Sequence, residues 1–163
     1  MIVESLADTM YTFTDLSNDT IYDFYLRSNC GGETSYWTDP LTAQPNVKTM
    51  LSEGSDTITG CGFKVADNGG LINSYSSSCD AVLVISPSSP ASTIRLTGTY
   101  DIENTYDNLY IYEGVGTTGL SLGVYSGMGI VDTVSTVGPI TLRFTSDGSG
   151  NYGGFDLQVR SIL

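Results

Sequence analysis

The sequence predicts an all-β fold, and more specifically an antiparallel β-sandwich. Apolar and polar residues alternate with a period of two in several short runs, and no run shows the 3.6-residue period of an amphipathic helix. Nineteen glycines and eleven tyrosines, with only 15% charged residues, are typical of short strands joined by turns. The 163 residues suffice for one ordinary domain, or for one domain and a fragment of another.

The first predicted strands lie within residues 10–43. The runs YTFTDL and IYDFYLRSN alternate, and the intervening SNDT has side chains that favour tight turns. YWTDPLTA predicts a third short strand, in which Pro40 favours an edge position. Three strands with one apolar face do not close a sandwich by themselves. Residues 44–57 are polar and unpatterned, which indicates a linker.

Residues 58–163 carry the more regular pattern and predict seven or eight strands. The first begins at TITGCGFKV, and the apolar run AVLVISP indicates a strand covered on both faces. STIRLTGTYDIE, NLYIYEG, SLGVYSG, GPITLRFTSDGSG and FDLQVRSI follow at short intervals. Their alternation predicts a core from Ile94, Leu96, Gly98, Tyr100, Leu109, Ile111, Ile140, Leu142, Phe144, Phe155, Leu157 and Val159. Strands at this spacing are typical of a β-sandwich.

Charge and composition exclude several classes of function. The net charge is −12 with six basic residues, which argues against binding a nucleic acid backbone or an anionic membrane surface. The absence of histidine removes the Ser-His-Asp triad, the Cys-His pair and His-ligated zinc. A carboxylate pair for glycoside hydrolysis needs an acid in an apolar cleft, whereas Glu113 stands before Gly114 in a turn. The sequence therefore predicts no enzyme and no catalytic residue.

The segment YTFTDLSNDTIYDFYLRSNCGGETSYW resembles the second half of a fibronectin type III domain. The spacing from Leu16 to Tyr22 matches the tyrosine corner of that family, and Trp37 also matches. The resemblance implies a partial fibronectin type III domain over residues 1–43, in a chain that is a piece of a longer secreted or cell-surface protein. Cys30 is then either half of a disulfide whose partner is missing or a reactive thiol near Arg27.

The stretches YDNLYIYEG, LGVYSG and ITLRFTSDGSGNYGGFDLQV resemble a CUB domain, in the variant found in secreted multi-module bacterial proteins. The resemblance implies a compact, jelly-roll-like β-sandwich over residues 58–163. It also implies that Cys61 and Cys79 form the family's first disulfide, which would stabilise the fold by about 3 kcal/mol. The second disulfide is missing, because Thr105 and Ser126 stand at its two positions.

A calcium-binding subset of the CUB family gathers three carboxylates at one end of the sandwich. The matching positions here are Glu103, Asp107 and Asp147, with Ser149 as a further oxygen donor and Tyr75 as a candidate aromatic support. Calcium takes six to eight oxygen ligands, which carboxylates and carbonyls of neighbouring loops can supply. The alternative is three exposed loop acids, with Asp147 holding a turn.

The resemblance implies a non-catalytic binding or adhesion module of a larger secreted or cell-surface protein, such as a bacterial peptidase or adhesin. Its partners would be an extracellular protein or glycan and the neighbouring domains of the parent chain. Tyr106, Tyr110, Tyr112 and Tyr152 could form the binding surface, or could instead pack across strands. The alternative function is a purely structural spacer that flanks a catalytic domain absent from this chain.

Overall fold

The computed structural model describes residues 11–13, 16, 20–134 and 137–162, without the side chain of residue 134. The chain divides into two compact units, residues 1–46 and residues 47–163. The described residues form strands and no helix, so the predicted all-β class is confirmed. Accordingly, no described segment is a helix long and apolar enough to cross a membrane.

The described part of the first unit contains four short strands in two small antiparallel sheets. The strands are β1 Tyr22–Phe24, β2 Asn29–Cys30, β3 Glu33–Thr34 and β4 Leu41–Ala43. Strand β1 pairs with β4, and β2 pairs with β3. The guanidinium of Arg27 lies 4.4 Å from the ring centroid of Trp37. The fibronectin-like interpretation stays a prediction, because residues 14, 15 and 17–19 around the proposed tyrosine corner lie outside the described part.

The second unit is a sandwich of two five-stranded sheets. Its strands are β5 Val47–Thr49, β6 Glu53–Thr59, β7 Lys64–Ala66, β8 Asp80–Ser86, β9 Thr93–Asp101, β10 Asn108–Glu113, β11 Ser121–Tyr125, β12 Met128–Val134, β13 Ile140–Thr145 and β14 Gly154–Ile162. The sheet orders are β11-β10-β13-β8-β6 and β12-β9-β14-β7-β5. Strand pairs are antiparallel except β6 with β8 and β5 with β7, which are parallel.

The core lies between the sheets and follows the predicted alternation. Leu109 and Ile111 of β10 are fully buried, beside the buried apolar residues of β13 in the same sheet and opposite those of β9 and β14 in the other sheet. Burying an aliphatic or aromatic side chain is worth about 1.5–3 kcal/mol, so these rows of side chains supply most of the driving force. Strand β8 differs from its prediction: Ala81, Leu83 and Ile85 are buried, whereas the intervening valines are only partly covered on the outer face.

The first unit was predicted to end at residue 43, whereas in the structure it ends at residue 46 and the second unit begins at residue 47. Residues 44–57, predicted to be a linker, contribute β5 and the first part of β6. Both are edge strands that run parallel to their neighbours. Strand β12, which sequence analysis did not predict, pairs along its whole length with β9.

The predicted Cys61–Cys79 disulfide is wrong for this structure, which contains three free thiols. Cys61 follows β6, and Cys79 precedes β8. Because these parallel strands pair Glu53 with Asp80 and Thr59 with Ser86, the two cysteines lie at opposite ends of the sheet. That separation is about 20 Å along the strands, whereas bridged cysteines have Cα atoms within about 7 Å of each other.

We expect Cys61→Ser to change the free energy of unfolding by less than about 0.5 kcal/mol, because Cys61 is exposed and unbridged. Chemical denaturation with and without reductant measures this. A native disulfide would instead show a loss of about 3 kcal/mol that reductant reproduces in the wild type.

Candidate metal centre

The three candidate acids lie in loops at one rim of the sandwich. Glu103 follows β9, Asp107 immediately precedes β10, and Asp147 follows β13. Strands β10 and β13 pair Asn108 with Thr145, so the start of one meets the end of the other. Strand β9 belongs to the facing sheet and ends beside the start of β14. The rim therefore draws its acids from both sheets.

The structure brings all three carboxylates together. One carboxylate oxygen from each of Glu103, Asp107 and Asp147 lies within 4.8 Å of the other two. Asp107 is fully buried, Glu103 is partly buried and Asp147 is exposed. The cluster could hold a metal ion. Its donors are all oxygens, the ligand type that calcium prefers.

Tyr75 supports the cluster from the loop between β7 and β8. Its hydroxyl donates to Asp107 Oδ2 at 2.6 Å and accepts the Glu103 backbone N–H at 2.9 Å. The same hydroxyl lies 3.2 Å from the carbonyl oxygen of Gly150. Burial, followed by the bond to Asp107, raises the pKa of Tyr75 well above its ordinary value, so the hydroxyl keeps its proton. Tyr75 thus connects Asp107 to the Glu103 backbone, and its role as the aromatic support of an ion stays a prediction.

Backbone N–H groups hold the two aspartates in place. Asp107 Oδ1 accepts the Asp147 N–H at 2.8 Å, and Asp147 Oδ1 accepts the Ser149 N–H at 2.9 Å. Ser149, predicted as an oxygen donor, therefore contributes a backbone bond that shapes the Asp147 turn. Each aspartate oxygen keeps lone-pair capacity for another partner.

Glu103 gives the test of whether the site fits a cation. Within the described part of the chain, its Oε2 is the buried side-chain oxygen that has no hydrogen-bond partner. A side chain at Gly150 would overlap the Glu103 carboxylate, so the backbone there closes directly on this group. Burial first, then the charges of Asp147 and Asp107, raise the pKa of Glu103. A buried, unpartnered oxygen beside two further carboxylates is what a bound cation would satisfy.

Polar contacts replace the disulfide that the CUB resemblance leads one to expect. Ser126 Oγ accepts the Thr105 N–H at 2.8 Å and donates to the Glu103 carbonyl at 3.2 Å. The two positions predicted from the resemblance are therefore neighbours. Thr105 has a φ of 81°, a conformation that few non-glycine residues adopt, so these bonds hold a tight turn between Glu103 and Asp107.

Asp67 was not predicted to be a functional residue, because it stands in the run ADNGG, whose composition indicates only a turn. It is 0% exposed. Its Oδ1 accepts the Gly69 N–H at 2.8 Å, and its Oδ2 accepts the Phe155 N–H at 2.9 Å. Burial raises the pKa of Asp67 to about 6 against these bonds. The ADNGG pattern itself gave no sign that this acid would be buried.

The four tyrosines predicted as a binding surface occupy two places. Tyr106 is 65% exposed and Tyr152 is 46% exposed, and both lie in the loops that carry the acids. Tyr110 and Tyr112 are partly buried on the outer face of β10, where their rings stack with centroids 6.2 Å apart.

No family model matches the chain. It is similar to the solved CUB1-EGF-CUB2 region of rat MASP-1, with 17% identity and a TM-score of 0.55 over 66% of this chain and 42% of that one. The corresponding region of human MASP-1/3 gives 19% identity and a TM-score of 0.56 over 84% of this chain and 53% of that one.

A third solved structure, the MASP-1 CUB2 domain bound to Ca²⁺, gives 24% identity and a TM-score of 0.46 over 64% of this chain and 96% of that one. This chain spans about half the length of the two CUB1-EGF-CUB2 structures. The second unit has a CUB-like β-sandwich fold.

Replacing Tyr75 with Phe removes the donor to Asp107 and the acceptor for the Glu103 N–H. We expect the metal-free free energy of unfolding to fall by about 1–3 kcal/mol, the usual cost of leaving a buried polar group unpaired. Urea denaturation in chelator measures it. Tyr106→Phe, at an exposed ring in the same rim, is the control, and an equal loss in both variants would contradict the assigned role.

The raised pKa of Asp67 makes stability depend on pH. The folded protein binds this proton more tightly than the unfolded chain, whose value is near 3.8. The resulting stabilisation is complete below pH 3.8 and is lost as the pH rises through about 6. Relative to Asp67→Asn, wild-type stability should fall by up to about 3 kcal/mol between pH 4 and pH 7.

Urea denaturation of both proteins in chelator checks this. The raised pKa of Glu103 also makes the free energy of unfolding fall as the pH rises. Because Glu103 is present in both proteins, its contribution cancels in the difference between them. If the difference in free energy of unfolding between the two proteins does not change with pH, the pKa of Asp67 is not raised by folding.

Proposed function

We propose that residues 47–162 form a calcium-stabilised, non-catalytic binding module of a larger secreted or cell-surface protein. The observation that supports it is the cluster of three carboxylates, in which the buried Oε2 of Glu103 has no hydrogen-bond partner among the residues that the structure describes. Three ionised acids with oxygens within 4.8 Å of one another repel each other, and a hard cation with oxygen ligands relieves that repulsion.

Glu103, Asp107 and Asp147 would hold the ion, and its charge would neutralise theirs. Tyr75 and Ser126 orient the loops independently of it, through bonds to Asp107, to the Glu103 N–H and to the Glu103 carbonyl. The ion would link the loop between β9 and β10, which carries Glu103 and Asp107, to the loop between β13 and β14, which carries Asp147. Its effect on the chain would be a more rigid rim.

The rim also offers a surface for a partner. The side chains of Tyr106 and Tyr152 are exposed in the two loops that carry Asp107 and Asp147. Tyrosine is large, has few rotatable bonds and is half polar, which makes it effective at interfaces. Acids beside these rings, in a chain of net charge −12, favour an extracellular protein that presents a basic side chain. A glycan stacked on the rings is the other partner class.

A structural spacer without ligand is the second candidate. One observation favours it: both oxygens of Asp107 already accept hydrogen bonds, and Asp147 is exposed to water. In that case the acids hold the loops by hydrogen bonds alone, and added calcium changes nothing.

Calcium titration separates the two candidates. If the dissociation constant is near 10⁻⁴ M, as in extracellular modules, 5 mM CaCl₂ should stabilise the folded state by about 2 kcal/mol. The melting temperature should rise by about 5–10 °C relative to chelator. Asp147→Ala should abolish this rise, because it removes one of the three carboxylates.

Differential scanning calorimetry on the full chain measures the shift. Asp132→Ala is the matched control, since Asp132 is an exposed aspartate that pairs with Arg95 on β9. It should keep the full calcium response. A wild type that melts at the same temperature in calcium and in chelator would leave the spacer as the function, and a response that survives Asp147→Ala would place the ion elsewhere.

A further inference from the structure

The loop of residues 67–79, here the Tyr75 loop, begins at a buried acid. Asp67 has no solvent exposure, and its two carboxylate oxygens accept the backbone N–H groups of Gly69 and Phe155. Its own carbonyl accepts the Gly70 N–H at 3.0 Å. No Lys or Arg is among its hydrogen bonds or ion pairs in the described part of the chain. The carboxyl group thus joins the start of this loop to the start of β14.

Glycines let the backbone approach this carboxyl group closely. A side chain at Gly154, where φ is +77°, would overlap the Asp67 carboxylate. A side chain at Gly69 would overlap the backbone carbonyls of Asn73 and Ser74. The loop is therefore folded tightly on itself and on β14, with Asp67 at the junction.

Two sets of contacts connect Asp67 with Tyr75. Along the loop, the Asn68 side chain donates to Ser76 Oγ at 2.7 Å and accepts the Ser76 N–H at 3.1 Å, which fixes the residue next to Tyr75. Through the core, the Phe155 ring packs on Phe144 with centroids 5.4 Å apart, and Phe144 packs on Tyr75 at 5.0 Å. Tyr75 in turn contacts Asp107 and the Glu103 N–H.

We propose that Asp67 is a positioning residue for the metal centre: its carboxylate fixes the Tyr75 loop to β14 and so holds the Tyr75 hydroxyl against Asp107. This inference rests on the proposed calcium site. Partner groups outside the ligand set commonly orient metal ligands and tune affinity. Asp67 makes no hydrogen bond to a candidate ligand in the described part of the chain. It would act through the Tyr75 loop, because Tyr75 bonds to Asp107.

The chemistry of the side chain explains why an acid stands here. A carboxylate offers an acceptor oxygen to each of the two N–H groups, whereas an asparagine offers one oxygen and turns its own N–H₂ group toward the other donor. Asp67→Asn therefore breaks one of the two links while it keeps the size of the side chain. The lost hydrogen bond is the one from the Gly69 N–H or the one from the Phe155 N–H. Either loss should loosen Tyr75, because Gly69 belongs to the Tyr75 loop and Phe155 to the packed rings of the core that reach Tyr75.

The test compares Asp67→Asn with the wild type in the full chain. Isothermal titration with CaCl₂ should show a dissociation constant raised about tenfold, the lower end of the effect of such outer partners. In chelator, amide hydrogen exchange at Glu103 and Asp147 should accelerate about as much, because both N–H groups bond to the Tyr75–Asp107 pair. Exchange at the core residues Leu142 and Leu157 should stay slow.

Asp156→Asn is the matched control. Asp156 follows Phe155 on β14, and its side chain pairs with Lys64. It should leave both the calcium affinity and the exchange rates at Glu103 and Asp147 at wild-type values. An equal effect in both variants would overturn the positioning role.

Other outcomes also decide the question. Unchanged affinity and unchanged exchange in Asp67→Asn overturn the inference, and so does acceleration spread equally over the core. If the wild type binds no calcium, the proposed function fails, while the exchange measurement in chelator still decides whether Asp67 positions the Tyr75–Asp107 pair.

If Asp67→Asn does not fold, Asn68→Ala takes its place. It removes the side-chain contacts with Ser76 and should raise the dissociation constant and the two exchange rates about threefold. Wild-type values for Asn68→Ala would overturn the inference.

Discussion

The rim depends on one buried carboxylate. Asp107 is fully buried, its Oδ2 accepts the Tyr75 hydroxyl and its Oδ1 accepts the Asp147 N–H. Its own N–H donates to the Glu103 carbonyl at 3.3 Å. A buried acid without partners costs several kcal/mol, so the chain must bring these three segments to Asp107 whenever the sandwich closes. Loops that are far apart in sequence thereby acquire one common conformation.

This arrangement explains how a module with little covalent reinforcement can keep a defined end. The structure has no disulfide among its three described cysteines, and Ser126 links Thr105 and Glu103 by hydrogen bonds where the CUB resemblance leads one to expect a bridge. Hydrogen bonds of this kind each contribute about 1 kcal/mol. A rim held by several such hydrogen bonds is ordered, and a bound ion that links its loops would stabilise it further.

The sequence predicted the central strands well because their alternation is set by burial. Leu109 and Ile111, for example, lie inward as their period-two pattern indicates. Strand β12 escaped prediction because its outward positions are apolar: Met128 is 79% exposed and Ile130 is 74% exposed, while Gly129 on the other face gives no core signal. The first part of the edge strand β6, which was predicted to belong to a linker, escaped for the opposite reason, since residues 53–56 include no large apolar residue.

The site was predictable only in part, for a related reason. Glu103, Asp107 and Asp147 were found through motifs next to strands, and the structure gathers them. Asp67 depends on a bond to Phe155, 88 positions away, which no local pattern reveals. The Cys61–Cys79 pairing failed because the parallel alignment of β6 and β8, which separates the two residues, cannot be read from either strand alone.

The order already present in the rim determines what an ion could add. Ligand binding is tightest where the site needs little rearrangement, and here Tyr75 and the backbone N–H groups already fix both aspartates. Glu103 differs, because its buried Oε2 has no partner within the described residues and its charge lies beside two others. The favourable energy of binding would therefore arise mainly at Glu103, and the exposed Asp147 would limit it, because water competes for that carboxylate. If calcium binds there, we expect an affinity in the range of extracellular modules rather than of tight buffers.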